Sequence, residues 1–179
     1  MDTFKSFETE RLILKPSAIE DADFVFALLN SPKWLQYIGD RDVKNIAAAR
    51  AYIEERMLPQ LQKLGYGNYI CIRKSDHAKM GSCGLYAREG LQGVDIGFAF
   101  LPEYEGMGYA YEPAKRIKVA AFQEFNIPEI KGFTTKDNFS SQKLLEKLGM
   151  TVTGTTFLPN DEEELLVYYI KNNSIPGSR

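Results

Sequence analysis

The order of elements along this chain predicts a mixed α/β (α+β) fold rather than a doubly wound one. Three observations carry that expectation. Alternating apolar residues over 66–101, interrupted by polar or glycine-containing turns at 74–78 and 90–93, read as a three-stranded meander. Segments with helical spacing flank it on both sides. The chain then closes on helix, strand, short helix and a last strand pair, instead of repeating a strand–helix unit. Six to seven strands and about four helices are expected in all.

Residues 11–16 (RLILKP) read as the first strand, ended by Pro16. Ser17 and Glu20 stand at capping-box spacing, where each side chain satisfies the other's orphan amide. The helix they open places Ala22, Val25, Phe26 and Leu29 on one face and stops at Asn30-Ser31-Pro32. Residues 33–38 form a short apolar piece, and 39–43 a polar connection. The spacing predicts a helix over 45–64 with Ala48, Ala51, Tyr52, Leu58 and Leu61 inward. Pro59 removes a hydrogen bond and clashes one turn back, so it should kink or split that helix. Gly65 supplies the stop.

The meander strands are expected at 66–73, 79–88 and 94–101. A helix over 108–125 carries Ala110, Ala114, Ile117, Ala121 and Phe125 on one stripe, small enough for close packing on a sheet. A strand at 129–135, a helix at 140–148 and strands at 150–158 and 163–170 follow. Residues 171–179 have the composition of a frayed tail. Nothing breaks the composition, so one domain is expected over 1–179 with its core at 8–170.

At 179 residues the chain is long enough to bury a core without disulfide or metal. A net charge of −2 disfavours a polyanionic partner such as nucleic acid. Cys71 and Cys83 fall in strand-like runs without CxxC spacing and read as free buried thiols. The N-terminal residues lack the apolar core of a signal peptide, and no run approaches the ~20 apolar residues of a membrane helix. A cytoplasmic protein with no membrane partner is expected. His77 sits in a polar turn, and metal-ligand spacing is absent from the sequence.

Chemistry concentrates at Leu101-Pro-Glu-Tyr-Glu-Gly106-Met-Gly108-Tyr-Ala110, where a strand ends in a glycine turn and a long helix begins. Backbone N–H groups at such a junction point outward at the positive end of the helix dipole and suit a pyrophosphate. The third glycine of a dinucleotide fold and the Gly-Lys-Ser/Thr of a P-loop are missing, which argues against NAD and ATP. A second segment, Asn138-Phe-Ser-Ser141 through Leu145 to Gly149-Met150, reads as a short helix capped near Asn138.

Together these segments resemble the two cofactor motifs of the GNAT superfamily of N-acetyltransferases, in the branch of ribosomal-protein-alanine acetyltransferases. Glu103 is inserted between proline and aromatic, and Met150 stands where the last aromatic would be. The resemblance extends over about 8–170 and implies a GNAT fold: a single, mostly antiparallel mixed sheet, splayed at the cofactor site. It implies acetyl-CoA as cofactor and a primary amine as acceptor, in a small molecule or at a protein N-terminus, attacked directly in a ternary complex. A non-catalytic acyl-CoA-binding or sensor domain of the same fold is the alternative, because Leu145 stands where many relatives carry an acidic tyrosine.

Residue by residue, the resemblance implies that the amides of Glu105, Gly106, Met107, Gly108, Tyr109 and Ala110 hold the pyrophosphate. Phe100 and Leu101 would pair with the pantetheine arm as an added strand, and Asn138 would bond it. Ser141 is the candidate acid near the sulfur and Asp95 the candidate base, acting through water. Tyr86, Trp34 and Tyr37 are candidates for contact with the acceptor; packing is the plainer role for the last two. Glu105 brings the wrong charge to a phosphate turn, and Pro113 leaves a carbonyl near Tyr109 without its amide. The acidic run 161–164 reads either as solvated loop or as an attractor of cationic amines. Over 101–150 seven basic residues balance seven acidic ones, so Lys115, Arg116, Lys136 and Lys143 enter only as candidates for the 3′-phosphate. The acceptor and the choice between monomer and homodimer are not written in the sequence.

Overall fold

A computed structural model of the chain describes residues 4–174. Eight strands form one sheet in the order β1-β2-β3-β4-β5-β6-β8-β7. They are β1 (Phe7–Glu8), β2 (Leu12–Pro16), β3 (Asn68–Arg73), β4 (Lys79–Tyr86), β5 (Val94–Phe100), β6 (Glu129–Thr135), β7 (Thr151–Phe157) and β8 (Glu164–Lys171). The strand beyond the expected count is β1, whose two residues are too short to show alternation.

Every neighbouring pair is antiparallel except β5 and β6, which run parallel. Those two are paired only at Val94↔Ile130 and Asp95↔Lys131. Beyond that point β5 stays with β4 as far as Gly81↔Phe100, and β6 stays with β8 as far as Thr135↔Leu165. The sheet therefore opens into a V between β5 and β6, and each strand leaves an unpaired edge facing the gap.

Helices cover both faces. On one face α1 (Ala22–Leu29) and α3 (Ile46–Tyr52) pack over Ile70, with Ile72, Ala99 and Leu101 at the margin. On the other, α5 (Tyr111–Gln123) buries Ala114, Ile117, Ala120 and Ala121 against Leu12, Leu14, Cys71, Cys83, Leu85 and Ile96. The alanines let the helix approach the sheet closely. Beside it, α6 (Phe139–Lys147) drops Leu145 onto Gly132 of β6, where an added Cβ would lie 2.8 Å from a Leu145 methyl. The short α2 (Pro32–Tyr37) and α4 (Leu58–Leu64) complete the first face.

Several local expectations are corrected. Ser17 does not cap a helix with Glu20. Its hydroxyl donates to the Asn68 carbonyl at 3.1 Å and accepts the Asn68 amide at 2.7 Å. Asp21 instead takes the Ala18 N–H at 2.9 Å, so the helix opens a residue later. Around Pro59 the expected single helix is divided, with α3 passing into α4 through a π-helical segment, Ile53–Met57. Missing the Pro59 N–H, the helix widens ahead of the proline, and the widening rotates its inward face to Ala49, Ile53 and Leu61.

Helix α5 starts at Tyr111 rather than 108, so Pro113 falls in the first turn, where an N–H has no intrahelical partner anyway. The tail is anchored at its start: Asn172 is buried and donates to the carbonyls of Phe122 and Ile127. Residues 175–179 of that expected tail lie outside the described residues.

Candidate active site

A cavity of about 740 Å³ runs through the V of the sheet, from the junction ahead of α5 to the helices α2–α4. One end is made by the glycine turn. Gly106 and Gly108 both have positive φ, +73° and +76°, a conformation that glycine adopts without a Cβ clash. The Glu105 N–H closes a short 3₁₀ turn on the Pro102 carbonyl at 3.3 Å, so it is not available to a ligand. Among the described residues, the N–H groups of Gly106, Met107, Gly108, Tyr109, Ala110 and Tyr111 have no hydrogen-bond partner. Five of these six residues line the cavity; Met107 turns its side chain to solvent. Unsatisfied donors at the start of a 13-residue helix make an anion seat.

The turn is buttressed from behind by residues the sequence reading did not single out. Arg11 donates from Nε to Glu112 at 2.7 Å, reaches the Met107 carbonyl at 3.3 Å and stacks 4.2 Å above the Tyr109 ring. Glu112 also accepts the Arg11 N–H and the Thr9 hydroxyl. In front, the charge anomaly of Glu105 is answered by Lys33 of α2, whose ammonium lies 2.5 Å from the carboxylate. Only folding brings these pairs together, which is why no spacing announced them.

At the V, the Leu101 N–H is held by Met80 at 2.9 Å and its carbonyl takes the Tyr104 N–H at 3.0 Å, which leaves one carbonyl lone pair for a ligand. Alternation along β5 then turns the backbone groups of Phe98 and Phe100 toward the gap. Across the gap, α6 begins at Asn138, whose side-chain oxygen accepts from the Ser141 N–H at 3.2 Å. The Asn138 amide nitrogen stays free for another partner. Ser141 and Leu145, one turn apart, both line the cavity, and Leu145 is buried on Gly132. Beneath them the Thr134 hydroxyl is buried without a partner.

The far end is built around Tyr86. Its ring lies across a cross-strand glycine pair, Gly84 and Gly97. An added Cβ on Gly97 would come within 2.8 Å of Tyr86 Cε2, and one on Gly84 within 2.9 Å of the hydroxyl. That hydroxyl donates to Asn68 Oδ1 at 2.6 Å, and burial pushes its pKa far above the ordinary tyrosine value. Held neutral and already donating, Tyr86 shapes the floor. Directly opposite in register, Asp95 is 5% exposed, and Arg88 holds both its oxygens, at 2.7 and 3.0 Å. Burial raises the Asp95 pKa from its ordinary value, against the pull of Arg88.

Trp34 and Tyr37 line the same end, as do Tyr52, Arg56 and Gln60 from the α3–α4 rod. Gln60 ties that rod to β4 through the Tyr66 and Leu85 carbonyls and the Ala87 N–H. Of the 3′-phosphate candidates, Lys143 lines the cavity, joined by Lys147, which sits 4.1 Å over the Tyr111 ring. Arg116 and Lys136 are paired with Glu124 and Glu164, and Lys115 is exposed away from the cavity.

Comparison with known proteins gives the chain a family. Residues 11–151 match the family model described as an acetyltransferase (GNAT) domain. The uncharacterized N-acetyltransferase YoaA of Bacillus subtilis is 26% identical over 152 residues, covering 84% of this chain and 85% of that protein. An acetyltransferase from Agrobacterium tumefaciens superposes with a TM-score of 0.80 at 22% identity, covering 95% of this chain and 96% of its own. A ribosomal-protein-S5-alanine acetyltransferase from Vibrio fischeri superposes at 0.78 and 18%, covering 94% and 97%. No helix among the described residues is long and apolar enough to cross a membrane.

Proposed function

Because the chain belongs to the GNAT acetyltransferase family, an acetyl-CoA-dependent class of N-acetyltransferase, we propose that it is a single acetyltransferase domain over 1–179 that acetylates a primary amine, in a small molecule or at a protein N-terminus, by direct attack within a ternary complex. The observation that carries the reading is the run of unpartnered N–H groups from Gly106 to Tyr111 beside the open V of the sheet. Acetyl-CoA supplies an acetyl group activated as a thioester. Everything else is the work of this chain.

The amides of 106–111 and the α5 dipole seat the diphosphate, while Lys143 and Lys147 face its outer phosphate. Phe98 and Phe100 pair with the extended arm as an added strand, and the free amide nitrogen of Asn138 bonds it from the other side. Asp95 takes the amine's proton through a water, using the lone pairs that Arg88 leaves open. Ser141, in the first turn of α6, gives a proton to the leaving sulfur and regains one from water, or orients the water that gives it. The alternative of a non-catalytic sensor rested on Leu145, which the structure accounts for as the cover of Gly132. A cytoplasmic setting belongs to the same reading, supported by two buried free thiols.

The test is direct. Acetyl-CoA at a hundred times its Kd should stabilise the fold by about 2.7 kcal/mol in a thermal-shift assay. Gly106→Val, which forces a β-branched residue into positive φ, should remove that shift while the protein stays folded. Asp95→Asn and Ser141→Ala should each lower kcat by roughly 10²-fold or more with the cofactor shift retained. Full turnover in both variants overturns the assigned roles, and an unchanged shift in Gly106→Val overturns the seat.

A further inference from the structure

The acceptor end of the cavity has two walls of opposite character. The helical wall offers donors. Arg41 and Arg56 line it, exposed and with no ion-pair partner among the described residues. Trp34 adds an indole N–H that is shielded from water and finds no acceptor. Indole and guanidinium donate and cannot accept, so these three groups cannot satisfy one another. The π-helical segment ahead of Pro59 is the stretch that carries Arg56, and such segments cluster at functional sites.

The acidic part of the lining comes from two turns that touch at Gly90 and Pro159. Glu89 lines it from the β4–β5 turn, and Asp161 and Glu163 from the β7–β8 turn. None of the three has an ion-pair partner among the described residues, although Asp161 accepts the Glu163 N–H at 3.0 Å. The acidic run read from the sequence as loop or as amine attractor is thereby divided. Asp161 and Glu163 line the cavity, whereas Glu164 leaves to pair with Lys136. Of the other charges lining the cavity, Arg88 pairs with Asp95 and Lys33 with Glu105, while Lys143 and Lys147 stand on α6, Lys147 over Tyr111 at the start of α5.

We propose that the acceptor is an ampholyte, a primary amine bearing a carboxylate a few bonds away, as in an amino acid or the first residues of an acidic peptide. This rests on the acetyltransferase reading and narrows its substrate. The acidic wall draws the ammonium group toward Tyr86 and the V. The arginines and the indole N–H then take the carboxylate. A polyamine satisfies only the acidic wall and leaves the donors of the helical wall unpaired. An uncharged amine satisfies neither.

The experiment uses the whole chain with acetyl-CoA and thiol detection. Three C-terminally amidated tripeptides with the same first residue are compared: Ala-Asp-Glu, Ala-Gln-Gln and Ala-Lys-Lys. Free glutamate and spermidine are run beside them, so that amino acid and peptide sources of the carboxylate are told apart. The expected order in kcat/KM places the acidic peptide or glutamate about tenfold or more above the lysine peptide and spermidine. Added salt should erode that gap. Arg41→Gln with Arg56→Gln should remove about tenfold of the advantage of the acidic peptide over the neutral one, read as the ratio of their kcat/KM values. Asp161→Lys serves as a second variant that leaves both arginines in place and should weaken all the amines. Equal rates across the panel, preference for spermidine, or no turnover of any carboxylate-bearing amine overturns the inference. A thermal shift by acetyl-CoA is recorded in every sample. If it is present while the order is wrong, only the acceptor class fails; if it is absent, the acetyltransferase reading fails with it.

Discussion

Replacing Gly97 by alanine tests the architecture of the acceptor end with one methyl group. Gly97 has no positive φ, so its backbone accepts alanine, and removing glycine from a strand interior is by itself mildly stabilising. The penalty comes from the Tyr86 ring. The new Cβ lies 2.8 Å from Cε2 and 3.4 Å from Cδ2, against the roughly 3.5–4.0 Å of a relaxed carbon contact. The ring has to lift by ~0.7 Å or more, and its hydroxyl is tied to Asn68 at 2.6 Å. Overpacking costs about 1–3 kcal/mol, and breaking a buried hydrogen bond costs a similar amount. A net loss of about 3 kcal/mol corresponds to a fall in Tm of roughly 6–12 °C for a chain of this length.

The assay is thermal and urea unfolding of four proteins: wild type, Gly97→Ala, Tyr86→Ala and the double variant. Without the ring the methyl meets nothing, so Gly97→Ala should become neutral or slightly stabilising, with a coupling of about 2–3 kcal/mol. The acetyl-CoA shift should survive in Gly97→Ala while the acceptor KM rises. Equal costs of Gly97→Ala with and without the ring refute the account of the glycine pair as the bed of Tyr86.

Two further outcomes follow from charges that folding brings together. Asp21 is fully buried, and burial alone raises its pKa. Hydrogen bonds from Lys79, Lys15 and the Ala18 N–H outweigh this and hold it below 3.8. Its contribution to stability is therefore complete above the unfolded value near pH 4 and fades as the pH falls through the folded pKa. Asp21→Asn should cost about 2–3 kcal/mol at pH 7, less than a fully buried pair because both lysines reach water, and the deficit should shrink in unfolding measured toward pH 3. Lys33→Ala leaves Glu105 facing the incoming diphosphate, so acetyl-CoA Kd by calorimetry should rise roughly fivefold and recover in the Lys33→Ala, Glu105→Gln pair. An unchanged Kd in Lys33→Ala removes the charge-answering role.

Much of this molecule was legible before folding, and the misses share a cause. The meander, the alanine stripe of α5 and the Asn138-capped helix follow from periodicity and caps, which are local properties of the chain. The shifted start of α1 was missed because Asp21, besides taking the Ala18 N–H, is fixed by Lys15 and Lys79, which reach it from β2 and β4 only in the folded chain. That the Leu101 N–H is taken by Met80 was not visible, because the bond depends on the register of β4 against β5. Arg11, Lys33, Arg88 and Lys147 gave no signal, since a lone basic residue in sequence is indistinguishable from solvated surface.

What the sequence alone determined was the acetyltransferase framework and the glycine turn whose backbone donors stay unpaired. Glycines at 106 and 108 followed by an uninterrupted helix leave backbone donors unpaired whatever the rest of the chain does. What only the tertiary structure decided was the end of the cavity around Tyr86. Its glycine bed, its Arg88–Asp95 pair and its two oppositely charged walls assemble from strands and helices far apart in sequence. Charge and shape there are properties of relative position, and relative position is set by packing over the sheet rather than by any local run of residues.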